Sequence, residues 1–302
     1  MGPSSPVRVR DRATGRVFDE RVFSERELRF LYEDPRGRAL TDRLLSRPWA
    51  SALYGLAQRT RRSRASIPAF VERLGIDAGE AALPLEDYAS LDQFFTRRLR
   101  PGARPVDPTP GVLVSPADGR ALVLPCLAAD GVVEVKGSRV TLVELLGDVD
   151  LARRYAGGAV VVVRLAPADY HRVHFPAAGV ASAPRRLGRR LHSVHPIALA
   201  QGAPSLANAR EVTRLDTPDL GALLVLEVGA LLVGTIVQTF APGPVRRGQE
   251  KALFRFGGST VVVLAEPGRL VLDDDLIAAS AEGLETLVRM GTRLGARREP
   301  AA

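Results

Sequence analysis

The stretch FRFGGSTVVVLAEPG, residues 254–268, reads as a short strand, a turn and a longer strand. The run Thr260–Ala265 is apolar and β-branched, as a buried strand requires, and Pro267 and Gly268 end it. Gly257 and Gly258 suit a hairpin turn, where φ must be positive. The same residues also set the Ser259 hydroxyl directly after an unhindered glycine carbonyl. The stretch is therefore either a turn alone or a peptide bond placed to be broken.

Outward from this stretch, strand patterns dominate from about residue 110 to 272. VLVSPADGRALVLP (112–125) reads as a hairpin, VVEVKG (132–137) as a strand and AVVVVRL (159–165) as a buried strand. TLVELLGDVDLARRYAGG (141–158) is the main helical interruption, and the segment after residue 272 reads as a polar, mixed tail. Residues 1–23 read as a short β-rich or loosely ordered lead, and helical patterns fill 24–100. Ser24 followed by Glu27 is a capping-box arrangement, and Gly75 is a C′ stop for SIPAFVERLG. The expected fold is α+β: an N-terminal helical region, 1–100, and a β-rich, mostly antiparallel core, 101–302.

The chain has 302 residues, a formal charge of +8 and only two lysines, Lys136 and Lys251. Such a surface suits phosphates on nucleic acid or anionic lipid. It carries no helix-turn-helix, RRM or zinc signature, so no nucleic-acid partner is expected. One cysteine, Cys126, excludes an intramolecular disulfide, and no apolar signal segment opens the chain. LGALLVLEVGALLVGTIVQTF (220–240) approaches membrane-spanning length, but Glu227 and two glycines read better as two buried strands around a turn.

All four histidines lie between residues 171 and 195. His171 and His174 in PADYHRVHFP are half of a metal site, two packed histidines, or an acid–base pair; the chain lacks the HExxH helix or cysteine cluster that a metal would need. Asp118, in SPADGR, sits at a turn and can orient a histidine as a triad carboxylate does. The chain order would be Asp118, His174, Ser259. Attack of the Ser259 hydroxyl on the Gly258 carbonyl exchanges the peptide for an ester. Loss of the Ser259 α-proton then releases the glycine carboxylate, and the dehydroalanine left at 259 hydrolyses to a ketone. The product is an N-terminal pyruvoyl group. Lys136 and Lys251 are the only candidates to hold pyridoxal phosphate, and no phosphate-cradling loop surrounds either.

The sequence resembles the bacterial phosphatidylserine decarboxylases in SLDQFFTRRLRPGARPVD, SPADGR, EVKGSRVTLVELLG, DYHRVHFP, VHPIAL, GQEKALFRFGGSTVVVL and VRMG, in order along most of the chain. The resemblance implies a pyruvoyl enzyme that converts phosphatidylserine to phosphatidylethanolamine. It implies self-cleavage between Gly258 and Ser259 into a β chain of 1–258 and an α chain of 259–302, which stay associated. It implies that Ser259 becomes the pyruvoyl cofactor and Schiff-base site. Asp118 and His174 would activate cleavage, and His171 would serve decarboxylation. It further implies a homodimer, peripheral on the cytoplasmic face of the inner membrane. LTDRLLSRPWASALYGLAQRTRRSR (40–64) is the segment expected to contact anionic membrane. The chain departs from the family at Gly257, where leucine is frequent, at His195, where asparagine is common, and in NAREV (208–212). The different-class alternative is a non-enzymatic basic protein that stays one chain.

Overall fold

The computed structural model describes residues 7–20, 25–128, 131–135, 138–231, 235–256 and 259–299. Ser24, Lys136, Gly234, Gly257 and Gly258 lie outside these residues, and with them the expected capping residue and the carbonyl side of the expected cleavage site.

The fold is α+β around a large, mostly antiparallel sheet. Its strands run in the order Gly243–Val245, Gly179–Ala181, Arg210–Thr217, Gly221–Gly229, Ser259–Ala265, Val160–Leu165, Gly119–Leu124, Glu285–Val288, Arg8–Asp11 and Val17–Asp19, and Arg185–Leu187 pairs at the side with Arg210–Thr217. Only the pairing of Arg8–Asp11 with Glu285–Val288 is parallel. Ser259–Ala265 is fully buried, with Gly221–Gly229 on one side and Val160–Leu165 on the other. Valine and leucine on both faces suit a strand covered above and below.

One face packs Val161, Val163, Val261 and Val263 against Val173, Phe175, Ala252 and Phe254. Val173, Ala252 and Phe254 come from a second sheet of three strands, Ile236–Gln238, Glu250–Phe254 and Arg172–His174, and Phe175 directly follows the last of these. The opposite face packs Val160, Val162, Val262 and Leu264 under the helices Leu142–Leu146 and Val149–Tyr155.

Several local expectations hold. Gly75 takes φ +65 and closes the helix Ile67–Leu74. The 220–240 run contains two strands, a buried one, Gly221–Gly229, and a half-buried one, Ile236–Gln238, with residues 232–234 outside the described residues, and no described helix is long and apolar enough to cross a membrane. Glu227 sits fully buried in the first strand, 2.7 Å from the equally buried Lys251 Nζ.

Three expectations fail, each because pairing partners are remote in sequence. Glu250–Phe254 and Ser259–Ala265 do not form a hairpin; they belong to different sheets. Val112–Val114 and Gly119–Leu124 likewise lie in different sheets, Val112–Val114 pairing with Arg293–Arg297. The segment after 272, read as a polar, mixed tail, is part of the fold: it forms the helix Asp274–Ala281, and Glu285–Val288 enters the large sheet beside Gly119–Leu124.

Candidate active site

Ser259 is the first residue of its strand and is fully buried. Its register places it between Gly229 and Leu165 on the face that meets the three-stranded sheet. The chain on the other side of the glycine pair is held separately. Asp92, in the helix Leu91–Phe95, accepts from the Phe256 amide at 3.4 Å and from Arg255 at 2.8 Å. The Phe256 ring packs on Phe95, Phe70 and Tyr54. Both flanks of Gly257-Gly258 are thus fixed by different layers of the protein.

His171 comes to Ser259 from the start of the second sheet. Its Nε2–H donates to the Ala166 carbonyl at 3.0 Å, an acceptor-only partner that sets the tautomer. Nδ1 is therefore the lone-pair nitrogen, and the Ser259 hydroxyl lies 3.5 Å from it, a long hydrogen-bond distance. The ring is fully buried and stacked on Phe95, with centroids 3.9 Å apart. Burial, and then the positive charge of Arg97, lower its pKa to about 3, so the imidazole is neutral at physiological pH. The turn that supplies its acceptor is itself closed: Asp169 accepts the Ala166 amide at 2.6 Å and is ion-paired with Arg120.

His174 is three residues on and has different partners. Its Nδ1–H donates to the Gly248 carbonyl at 2.9 Å, and its Nε2 accepts from Tyr170 at 3.2 Å. Burial pushes the Tyr170 hydroxyl up to about 12, which keeps it a donor, and burial also lowers the His174 pKa. Asp118 is buried and held by Arg104 at 2.9 and 2.6 Å and by the Met290 amide at 2.8 Å. Among the described contacts, the structure brings Ser259 and His171 together and leaves the Asp118 carboxylate on Arg104 rather than on either histidine. The turn carrying Asp118 does reach the histidine strand through the His174 amide, which donates to the Pro116 carbonyl at 2.8 Å.

Lys251 is engaged with Glu227 and Gln238, and the described residues contain no cluster of three metal-ligating side chains. Arg97, Asp92, Tyr170 and Arg120 complete the surroundings. All four lie inside the quoted motifs, but one arginine among dozens, or one acid in a short helix, carries no local signal of its role. Only SLDQFF, ending on the Phe95 that stacks on His171, marked that helix.

A fully buried serine hydroxyl facing a neutral imidazole, at the start of a central strand packed against a second antiparallel sheet, defines a serine–histidine centre. Residues 91–296 match the family described as phosphatidylserine decarboxylase. A "Phosphatidylserine decarboxylase proenzyme" of Chlamydia trachomatis is 45% identical over 95% of this chain and 96% of its own length. Proteins of the same name from Chlamydia muridarum and Chlamydia pneumoniae are 44% and 41% identical, over 95% and 94% of this chain and 96% and 95% of their own lengths. The chain belongs to the phosphatidylserine decarboxylase family.

Proposed function

We propose that the chain cleaves itself between Gly258 and Ser259 and then decarboxylates phosphatidylserine to phosphatidylethanolamine. The observation that carries this reading is the Ser259 hydroxyl facing Nδ1 of a neutral His171, inside a junction anchored on both sides. A pyruvoyl group fits residue 259, because the serine that would form it is fully buried at a strand start with a proton acceptor in reach. That group supplies a carbonyl that takes up the substrate amine and draws electrons as CO₂ departs.

The protein's own residues do the rest. His171 Nδ1 accepts the Ser259 hydroxyl proton as the oxygen attacks the preceding carbonyl. The same nitrogen later holds a proton for the carbon that has lost CO₂. Ala166, closed by Asp169 and Arg120, keeps that nitrogen in the accepting tautomer. Asp118 and His174, the activating pair that the resemblance implies, act as positioning residues through the Pro116–His174 contact. The fragments 1–258 and 259–302 stay together after cleavage, because Ser259–Ala265 and Glu285–Val288 are each flanked by strands of the larger fragment.

Residues 1–100 form the membrane-associating region of a peripheral protein on the cytoplasmic face of the cell membrane, with 101–302 as the catalytic core and the resemblance adding a homodimer. Trp49, Leu53 and Leu56 recur on one face of the helix Pro48–Gln58 and are 53–62% exposed. Arg43, Arg47, Arg189 and Arg190 line a surface depression of about 720 Å³ with Trp49. Exposed apolar side chains ringed by arginine suit an anionic lipid surface.

The test is a denaturing intact-mass spectrum of the wild type beside Ser259→Ala, His171→Gln, His174→Gln and Asp118→Asn. The wild type should give two chains, the smaller without a free amine; Ser259→Ala and His171→Gln should stay whole, and the other two should cut slowly. A folded wild type that stays whole sinks the reading and favours the non-enzymatic one. Normal cutting by His171→Gln with none by His174→Gln transfers the base to His174. Release of CO₂ from phosphatidylserine vesicles, but not from free serine, then tests the substrate.

A further inference from the structure

Arg97 leaves the helix Leu91–Phe95 two residues after the Phe95 that stacks on His171, and is 5% exposed. Its Nη2 donates to the carbonyls of Ala168 and Asp169, at 3.2 and 3.4 Å. Its Nε and Nη1 have no acceptor among the described residues. The carboxylates in its neighbourhood are otherwise engaged. Asp118 is taken by Arg104 and the Met290 amide, and Asp169 by Arg120 and the Ala166 amide. A guanidinium carries five N–H donors and never an acceptor, so such a group buried with idle donors loses water without regaining bonds. Burial is the main cause of its lowered pKa.

The guanidinium, which lies over the Phe94 ring at 4.9 Å, adjoins the reaction centre. The carbonyls that hold Nη2 belong to the turn whose Ala166 carbonyl sets the His171 tautomer. The Arg97 charge is also the strongest charge acting against protonation of His171.

We propose that Arg97 is the anion receptor for the substrate headgroup, its free Nε–H and Nη1–H groups binding the oxygens of one oxyanion, the carboxylate or the phosphodiester. The assignment rests on the decarboxylase reading above. An oxyanion completes the hydrogen bonds that the guanidinium lacks, and charge-assisted bonds of this kind are the strong ones. It also offsets the charge that, after burial, most opposes a proton on His171.

The experiment compares wild type, Arg97→Met and Arg97→Lys, each checked for folding by thermal melting. Three readouts are taken: intact mass, kcat and KM for phosphatidylserine in detergent mixed micelles, and inhibition by added phosphatidylethanolamine. All three proteins should cut themselves. KM should rise about 10- to 100-fold in Arg97→Met, the loss expected for a hydrogen-bonded charge, with partial recovery in Arg97→Lys. A parallel rise in the inhibition constant of phosphatidylethanolamine, which keeps the phosphodiester but lacks the carboxylate, assigns the phosphodiester; an unchanged constant assigns the carboxylate. Unchanged kcat and KM in cleaved Arg97→Met overturns the proposal. So does a folded Arg97→Met that stays whole, which would give Arg97 to the cleavage step instead. If Arg97→Met does not fold, Arg97→Lys decides by the same readouts, a wild-type KM overturning the proposal. A cleaved wild type that releases no CO₂ from phosphatidylserine refutes the decarboxylase reading rather than the role of Arg97.

Discussion

Protonating His171 should cost the native protein stability as the pH falls. The ring is fully buried, and burial together with Arg97 lowers its pKa from 6.5 to about 3. Above pH 6.5 both the folded and the unfolded imidazole are neutral, and the group adds nothing to the pH dependence. As pH falls below 6.5 the unfolded chain binds a proton that the folded chain refuses, so stability is lost, and the loss levels off only near pH 3. Between about pH 8 and about pH 5 the cost comes to about 2 kcal/mol. The assay is urea unfolding at both pH values on Ser259→Ala, which keeps the chain whole, and on Ser259→Ala/His171→Gln. Losing the stack on Phe95 destabilises the double variant equally at both pH values and drops out of the difference. The parent should therefore lose about 2 kcal/mol more than the double variant on acidification. His174, whose pKa is also lowered by burial, contributes a loss of the same sign to both proteins and cancels too. Equal pH slopes in the two proteins would refute the buried, neutral His171 on which the site depends.

Three further outcomes are expected. Lys251→Met leaves the fully buried Glu227 with Gln238 but without its charged partner and should cost about 3–5 kcal/mol in urea unfolding of the Ser259→Ala chain, largely regained on adding Glu227→Leu; a loss below about 1 kcal/mol would show that the pair carries little. Asp92→Asn weakens the hold on Arg255 and the Phe256 amide, so self-cleavage followed by intact mass should slow about tenfold or more; an unchanged half-time would remove that anchor from the cleavage geometry. Trp49→Ala with Leu53→Ala should weaken cosedimentation with anionic vesicles roughly tenfold or more, and undiminished binding would move the membrane contact elsewhere.

The sequence by itself determined what is set within a few residues. The β-branched run after Ser259 could only be a buried strand, Gly75 ends its helix because the cap needs φ of +65, and the embedded Glu227 argued against a membrane span. It also singled out Ser259, and the spaced motifs marked the family. Tertiary structure alone decided the rest, because those choices join residues far apart in the chain. Ser259 and His171 are 88 positions apart, and the strands around the glycine pair find their partners in two different sheets rather than in each other. Glu285–Val288 looks polar and unremarkable in sequence, yet its Glu285 is buried against Arg164, so the charge that hid the strand is what holds it in place. The sequence reading set His174 in line with Asp118 and Ser259, whereas the structure puts His171 beside Ser259; the stack on Phe95, the Ala166 carbonyl and the orphaned donors of Arg97 mark its surroundings, and none of these is a property of neighbouring residues.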